Sequence, residues 1–172
     1  MTTNPTRIRR RIRALLIIFV TGLILSGLTA FPIESELRLL RSILGIDPSV
    51  PPSSYVGVRH WIATVAGALH ETYAKYPFVG YGTDWLAFAH LVIAVSFIGP
   101  LRDPIRNIWV VTFGLIACMA VIPLALIAGA IREIPIYWRM IDCSFGVFGA
   151  LPLWLARRNI AILRTIEGGG GV

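Results

Sequence analysis

The stretch NIWVVTFGLIACMAVIPLALIAGA, residues 107–130, decides the fold class. Its 24 residues carry no charged side chain. As an α-helix rising 1.5 Å per residue they would extend about 36 Å, enough to cross the roughly 30 Å of hydrocarbon in a bilayer. A surface helix of a soluble domain keeps a polar face, and this stretch has none. Pro123 lies inside it and is expected to kink it, because the ring removes one backbone donor and crowds the preceding turn.

Three more mainly apolar stretches flank it, at 14–31, 84–99 and 135–156. The first follows Arg7, Arg9, Arg10, Arg11 and Arg13. It lacks a small-x-small cleavage pattern before Phe31, so it reads as an uncleaved anchor rather than a signal peptide. The second opens after Gly80 and Gly82, with Thr83 or Asp84 placed to cap the free N–H groups of its helix. Gly99-Pro100-Leu101-Arg102 turns the chain, and Asp103-Pro104 reads as an N-cap followed by a first-turn proline. The expected fold is an all-α integral membrane protein, one domain over 1–172 with four transmembrane helices and a tail at 157–172. Between spans one and two, residues 32–77 carry charges and the breakers Pro48, Pro51 and Pro52. Two amphipathic helices fit there, from Glu34 to Leu44 and from Val58 to Tyr76, lying along the outer membrane surface.

Composition agrees with a membrane protein. Of 172 residues 56% are hydrophobic and 15% charged, with a mean hydropathy of +0.73, far from soluble-domain usage. The net charge of +7 would suggest nucleic acid in a soluble protein. Here the basic residues flank apolar stretches, so their expected role is orientation and nucleic acid is not an expected partner. With both termini inside, ten basic residues fall on the cytoplasmic side and six outside, as the positive-inside rule requires. The five tryptophans fall at span ends or, for Trp61, on the surface segment, the depth that an apolar ring with one N–H prefers.

Candidate sites are few. Helix packing in lipid needs small residues for close approach. Gly22, Ser26 and Ala30 offer such a seam on span one, Gly114 and Cys118 on span three, and Ser144, Gly146, Gly149 and Ala150 on span four. His90 lies six positions beyond Asp84, about 9 Å into span two, and shares a face with Ala87 and Ala94. An imidazole there can ligate haem or chlorophyll, relay a proton, or hydrogen-bond a neighbour, and the hydrogen bond is the reading adopted. His60 and His70, on the surface segment, are badly placed to join it as ligands. Arg139 and Asp142 share a face of span four and are expected to form a structural ion pair. The alternative is an outward polar pocket of Tyr81, Asp84, His90, Arg139 and Asp142 around a small ligand or quinone head group. Cys118 and Cys143 form no Cys-x-x-Cys pattern, and no phosphate-binding Gly-rich loop is present, so no catalytic residue and no metal site are expected.

The strings YGTDWLAFAH (81–90), GPLRDP (99–104) and WRMIDCSFG (138–146) resemble those of uncharacterised small four-helix bacterial inner-membrane proteins. The likeness spans 31–155. It implies the fold and an inner-membrane location, and it implies no activity. The function expected is therefore a non-catalytic accessory subunit packed against other membrane proteins of a respiratory or photosynthetic assembly. The alternative is a small membrane enzyme or carrier using the polar pocket around His90.

Overall fold

Asn4 and Pro5 set the start of the first helix in the computed structural model, which describes residues 4–168. The Asn4 Oδ1 accepts the Thr6 N–H at 2.9 Å, and Pro5 occupies the first helical position, where its missing donor costs nothing. Helix α1 thus spans Pro5–Ala30, and the arginines before residue 14 are part of it. Six further α-helices follow: α2 (Ile33–Ile43), α3 (Gly57–Lys75), α4 (Gly80–Ser96), α5 (Ile98–Arg102), α6 (Ile108–Ile131) and α7 (Ile136–Gly168). Single 3₁₀ turns at Pro52–Ser54 and Pro77–Val79 precede α3 and α4. No strand occurs among the described residues. Four helical stretches are long and apolar enough to cross a membrane: Pro5–Ala30, Pro77–Arg102, Ile108–Ile131 and Ile136–Gly168.

Two spans outrun their expected bounds by nine residues or more. α1 begins nine residues before position 14, and α7 continues past Arg157 and Arg158 to Gly168. Arginine is a good helix former, and each extension carries an apolar stripe that the charges beside it obscure. Ile8, Ile12 and Leu16 recur every fourth residue on α1, and Leu153, Ala156, Ile160 and Leu163 alternate by three and four on α7; all seven are buried in one cluster. Arg9 closes this end with a fork onto Glu167, both oxygens at 2.8 Å from Nη2. The pair is well exposed, so it adds on the order of 1 kcal/mol or less.

The chain forms two compact units, and α1 and α4 contribute residues to both. One comprises the residues to Leu23 and those from Ile93 onward. Its core adds Phe97, Val111 and Cys118 to the stripe above, with the Phe19 and Phe97 rings 4.9 Å apart. Here α6 and α7 lie against each other at their small residues. A Cβ at Gly146 would stand 2.5 Å from the Cys118 carbonyl oxygen, and one at Gly149 would stand 2.9 Å from the Cys118 Sγ. Gly114 is pressed by Leu153 and Phe97.

The other unit runs from Ile24 to Val92 and contains α2 and α3, which fall where the charged segment was expected to be helical. α2 ends on Gly45 in the left-handed conformation (φ 62°). This lets the Ile46 N–H reach back to the Arg41 carbonyl at 2.9 Å, the Schellman closure, and Ile46 is buried beneath it. The following turn is pinned by side chains. Tyr55 Oη accepts the Asp47 N–H at 2.9 Å, Arg59 donates to the Gly45 carbonyl at 2.7 Å, and Arg59 lies over the Tyr55 ring. The N–H and hydroxyl of Ser49 both donate to Asp47 Oδ1, holding that carboxyl below its ordinary pKa.

Because the atom nearest Gly146 is backbone, the α6–α7 crossing should tolerate no side chain there. Gly146→Ala is expected to cost on the order of 1–3 kcal/mol, read as a lower unfolding midpoint of the detergent-solubilised protein. Gly22→Ala, at a position with nothing within 4 Å, is expected to be neutral or slightly stabilising.

Candidate functional site

Around the start of α4, in the Ile24–Val92 unit, the polar side chains converge. Tyr73, from the last turn of α3, donates its hydroxyl to Thr83 Oγ1 at 2.7 Å, and Thr83 in turn donates to the Gly80 carbonyl at 2.8 Å. Thr83 therefore does not cap α4; the helix starts earlier, at Gly80, and its hydroxyl bonds back into the first turn. Together with Glu34, Ser35, Arg38 and Asp84, these two residues border an open cavity of about 450 Å³. Tyr81 stands at its edge, and its ring begins an exposed edge-to-face ladder through Trp85 to Phe88, at 5.9 and 6.0 Å.

Deeper along α4, His90 is half-buried and absent from that cavity's lining. Its Nδ1 lies 2.7 Å from the Leu86 carbonyl oxygen one turn earlier. A carbonyl only accepts, so Nδ1 donates in this bond, and in the neutral ring Nε2 then holds the lone pair. That is also the tautomer in which an imidazole can ligate a metal through Nε2. Gly27 of α1 comes close to it: a Cβ there would stand 3.0 Å from both the His90 Cβ and the Ala87 oxygen. The other histidines are engaged elsewhere: His60 Nδ1 on the Pro52 carbonyl at 2.8 Å, and His70 Nδ1 on Glu34 at 3.5 Å. Among the described residues no three His, Cys, Asp or Glu side chains gather as a metal site would need.

No family model, curated protein or solved structure matches the chain.

Arg139 and Asp142 belong to the other unit, on the first turns of α7. The ion pair expected between them is absent among the described residues, where ion pairs join Arg9 to Glu167 and Glu34 to His70. The reason is Gly129. The Arg139 stem lies where a side chain at 129 would be, with Cδ only 2.5 Å from the place a Cβ would occupy. This carries the guanidinium towards the last two turns of α6, where Nη1 donates to the Leu126 carbonyl at 3.3 Å. A cation at a helix C-terminus is favourable, although the buried Arg139 Nε finds no partner. Asp142 is half-buried.

The small-residue seams divide in the same way. Gly114, Gly146 and Gly149 sit at close crossings, whereas Gly22 has open space around it, Ser26 is exposed and Ala30 half-buried. On α1 the residue pressed against α4 is Gly27, one position on from Ser26. A rotation of about 100° about the helix axis separates the two readings, and a spacing of four does not fix that angle. Sequence reasoning also passed over Arg38 and Arg41, whose spacing with Glu34 and Leu37 puts all four on one face of α2.

If Arg139 and Asp142 are independent, a double-mutant cycle should be close to additive. The stability losses of Arg139→Ala and Asp142→Ala are expected to sum to that of the double variant within about 0.5 kcal/mol, measured by thermal unfolding in detergent. Arg139→Ala should carry the larger loss, since it removes both the stem packed on Gly129 and the bond to Leu126.

Proposed function

We propose that the chain is a non-catalytic structural subunit of a larger membrane assembly. It would sit in a bacterial inner membrane with both termini in the cytoplasm and α2 and α3 along the outer face. The observation that carries this reading is the uncovered face of α1. Gly22 leaves a notch, with no described atom within 4 Å of where a Cβ would stand; Ser26, one turn on, is exposed, and Ile17, Ile18 and Leu25 of the same helix are each more than half exposed. Small residues on a spanning helix let a second backbone approach closely, and lipid tails have no need of them. All four spans are sparsely covered from within: between 17% and 22% of each apolar window is buried. The orientation is supported by the ten-to-six division of basic residues. The Arg9–Glu167 pair supports a reading with both chain ends on one side.

His90 supports a second reading, in which its free Nε2 ligates a cofactor. One preparation tests both. The tagged full chain, extracted from its native membrane in mild detergent, is expected to migrate with larger partners. Gly22→Leu, whose Cβ would have no described atom within 4 Å, is expected to release it as a small species of unchanged stability. Migration alone in the unaltered chain contradicts the subunit reading. A Soret or chlorophyll band that disappears in His90→Gln would replace it with the cofactor reading.

A further inference from the structure

α2 leaves part of its apolar surface facing outward while two of its arginines border a cavity. Leu39 and Ile43, one turn apart, are 62% and 71% exposed, while Glu34, Leu37, Arg38 and Arg41 line a cavity of about 510 Å³ against α3. The far wall is apolar, with Ile46, Ala66 and Leu69, and His70 stands at the rim. Two guanidiniums therefore share an amphipathic cavity, and among the described residues no carboxylate forms an ion pair with either of them. Glu34 is taken by His70 at 3.5 Å. Asp47, whose charge Arg41 also feels, has its Oδ1 filled by Ser49. Arg41 is half-buried and its Nε, cut off from solvent, has no hydrogen-bond partner, a costly state for a charged donor.

We infer that this cavity binds a phosphate group, with Arg38 and Arg41 as the donors, and that the phosphate is the head group of a glycerophospholipid. Guanidinium forks match the oxygens of a phosphate two at a time. The apolar wall beside them fits the glycerol and first acyl carbons. The source follows from the chain path: α2 begins three residues after α1 ends, so a membrane-crossing α1 delivers it to the lipid surface. The outward Leu39 and Ile43 then enter the acyl boundary while the arginines stay at phosphate depth.

The test uses the full chain in detergent, with dioleoylphosphatidylglycerol and, separately, inorganic phosphate as probes. Native mass spectrometry reads lipid retention, and the unfolding midpoint reads both probes. The expected result is one retained lipid, bound about tenfold or more weakly by the double variant Arg38→Gln/Arg41→Gln, since two charge-assisted contacts are lost. Retention should be unchanged in Arg10→Gln/Arg11→Gln, which removes the same charge from exposed positions of α1. Equal retention in all three proteins, or equal loss in both variants, overturns the site. A midpoint shift with inorganic phosphate and none with lipid, abolished by the Arg38/Arg41 change, overturns the lipid source while upholding the phosphate chemistry. Should the glutamine pair fail to fold, Arg38→Lys/Arg41→Lys carries the test. It keeps the charge but not the fork, so weakened lipid retention supports the inference and unaltered retention overturns it.

Discussion

Hydrocarbon offers a helix no water to bond and no apolar driving force towards a neighbour, and the structure follows from that constraint. The backbone must satisfy itself, so the spans are helices. Association must come from close contact, so the residues that matter most are those with least side chain. At the α6–α7 crossing Gly146 lies on the Cys118 carbonyl and Gly149 on its thiol. The same rule positions Arg139: its stem uses the space left by Gly129, which sends its charge to the end of α6 and away from Asp142.

How much of this could be read in the sequence depends on what kind of physics decides it. Whether a segment enters the bilayer depends on its summed hydropathy, and the four spans were recognisable for that reason. Where a helix ends depends on competition between caps and charges. The arginines of α1 and α7 masked stripes such as Ile8, Ile12 and Leu16, although the Asn4-Pro5 start signal was there to be read. Which face of a helix meets a partner depends on rotation, which spacing alone leaves open. Gly27 rather than Ser26 meets α4, and α2 directs its arginines into a cavity although its periodicity allowed either orientation. The Arg139–Asp142 pair failed for a related reason. Two charges on one face of a helix need not meet when a glycine on the neighbouring helix offers one of them a better place.

The segment between the first two spans is more than a connector. Its turn is fastened by Tyr55, Arg59 and the Asp47–Ser49 bonds, and it covers Ile46, which forms part of a wall behind Arg38 and Arg41. Such construction would suit the proposed place of this segment at the lipid–water boundary, where neither phase alone would order it. The packed end at Arg9 and Glu167 is built differently, from an apolar stripe with one surface fork.

The proposed topology would put residue 49 outside the membrane and residue 165 in the cytoplasm. Ser49→Cys and Thr165→Cys, both at exposed positions, can be probed with a membrane-impermeant maleimide in spheroplasts, where the buried native Cys118 and Cys143 should stay silent. The account predicts labelling at position 49 in intact spheroplasts and at position 165 only after lysis. Labelling of both in intact spheroplasts, or of 165 alone, would contradict it.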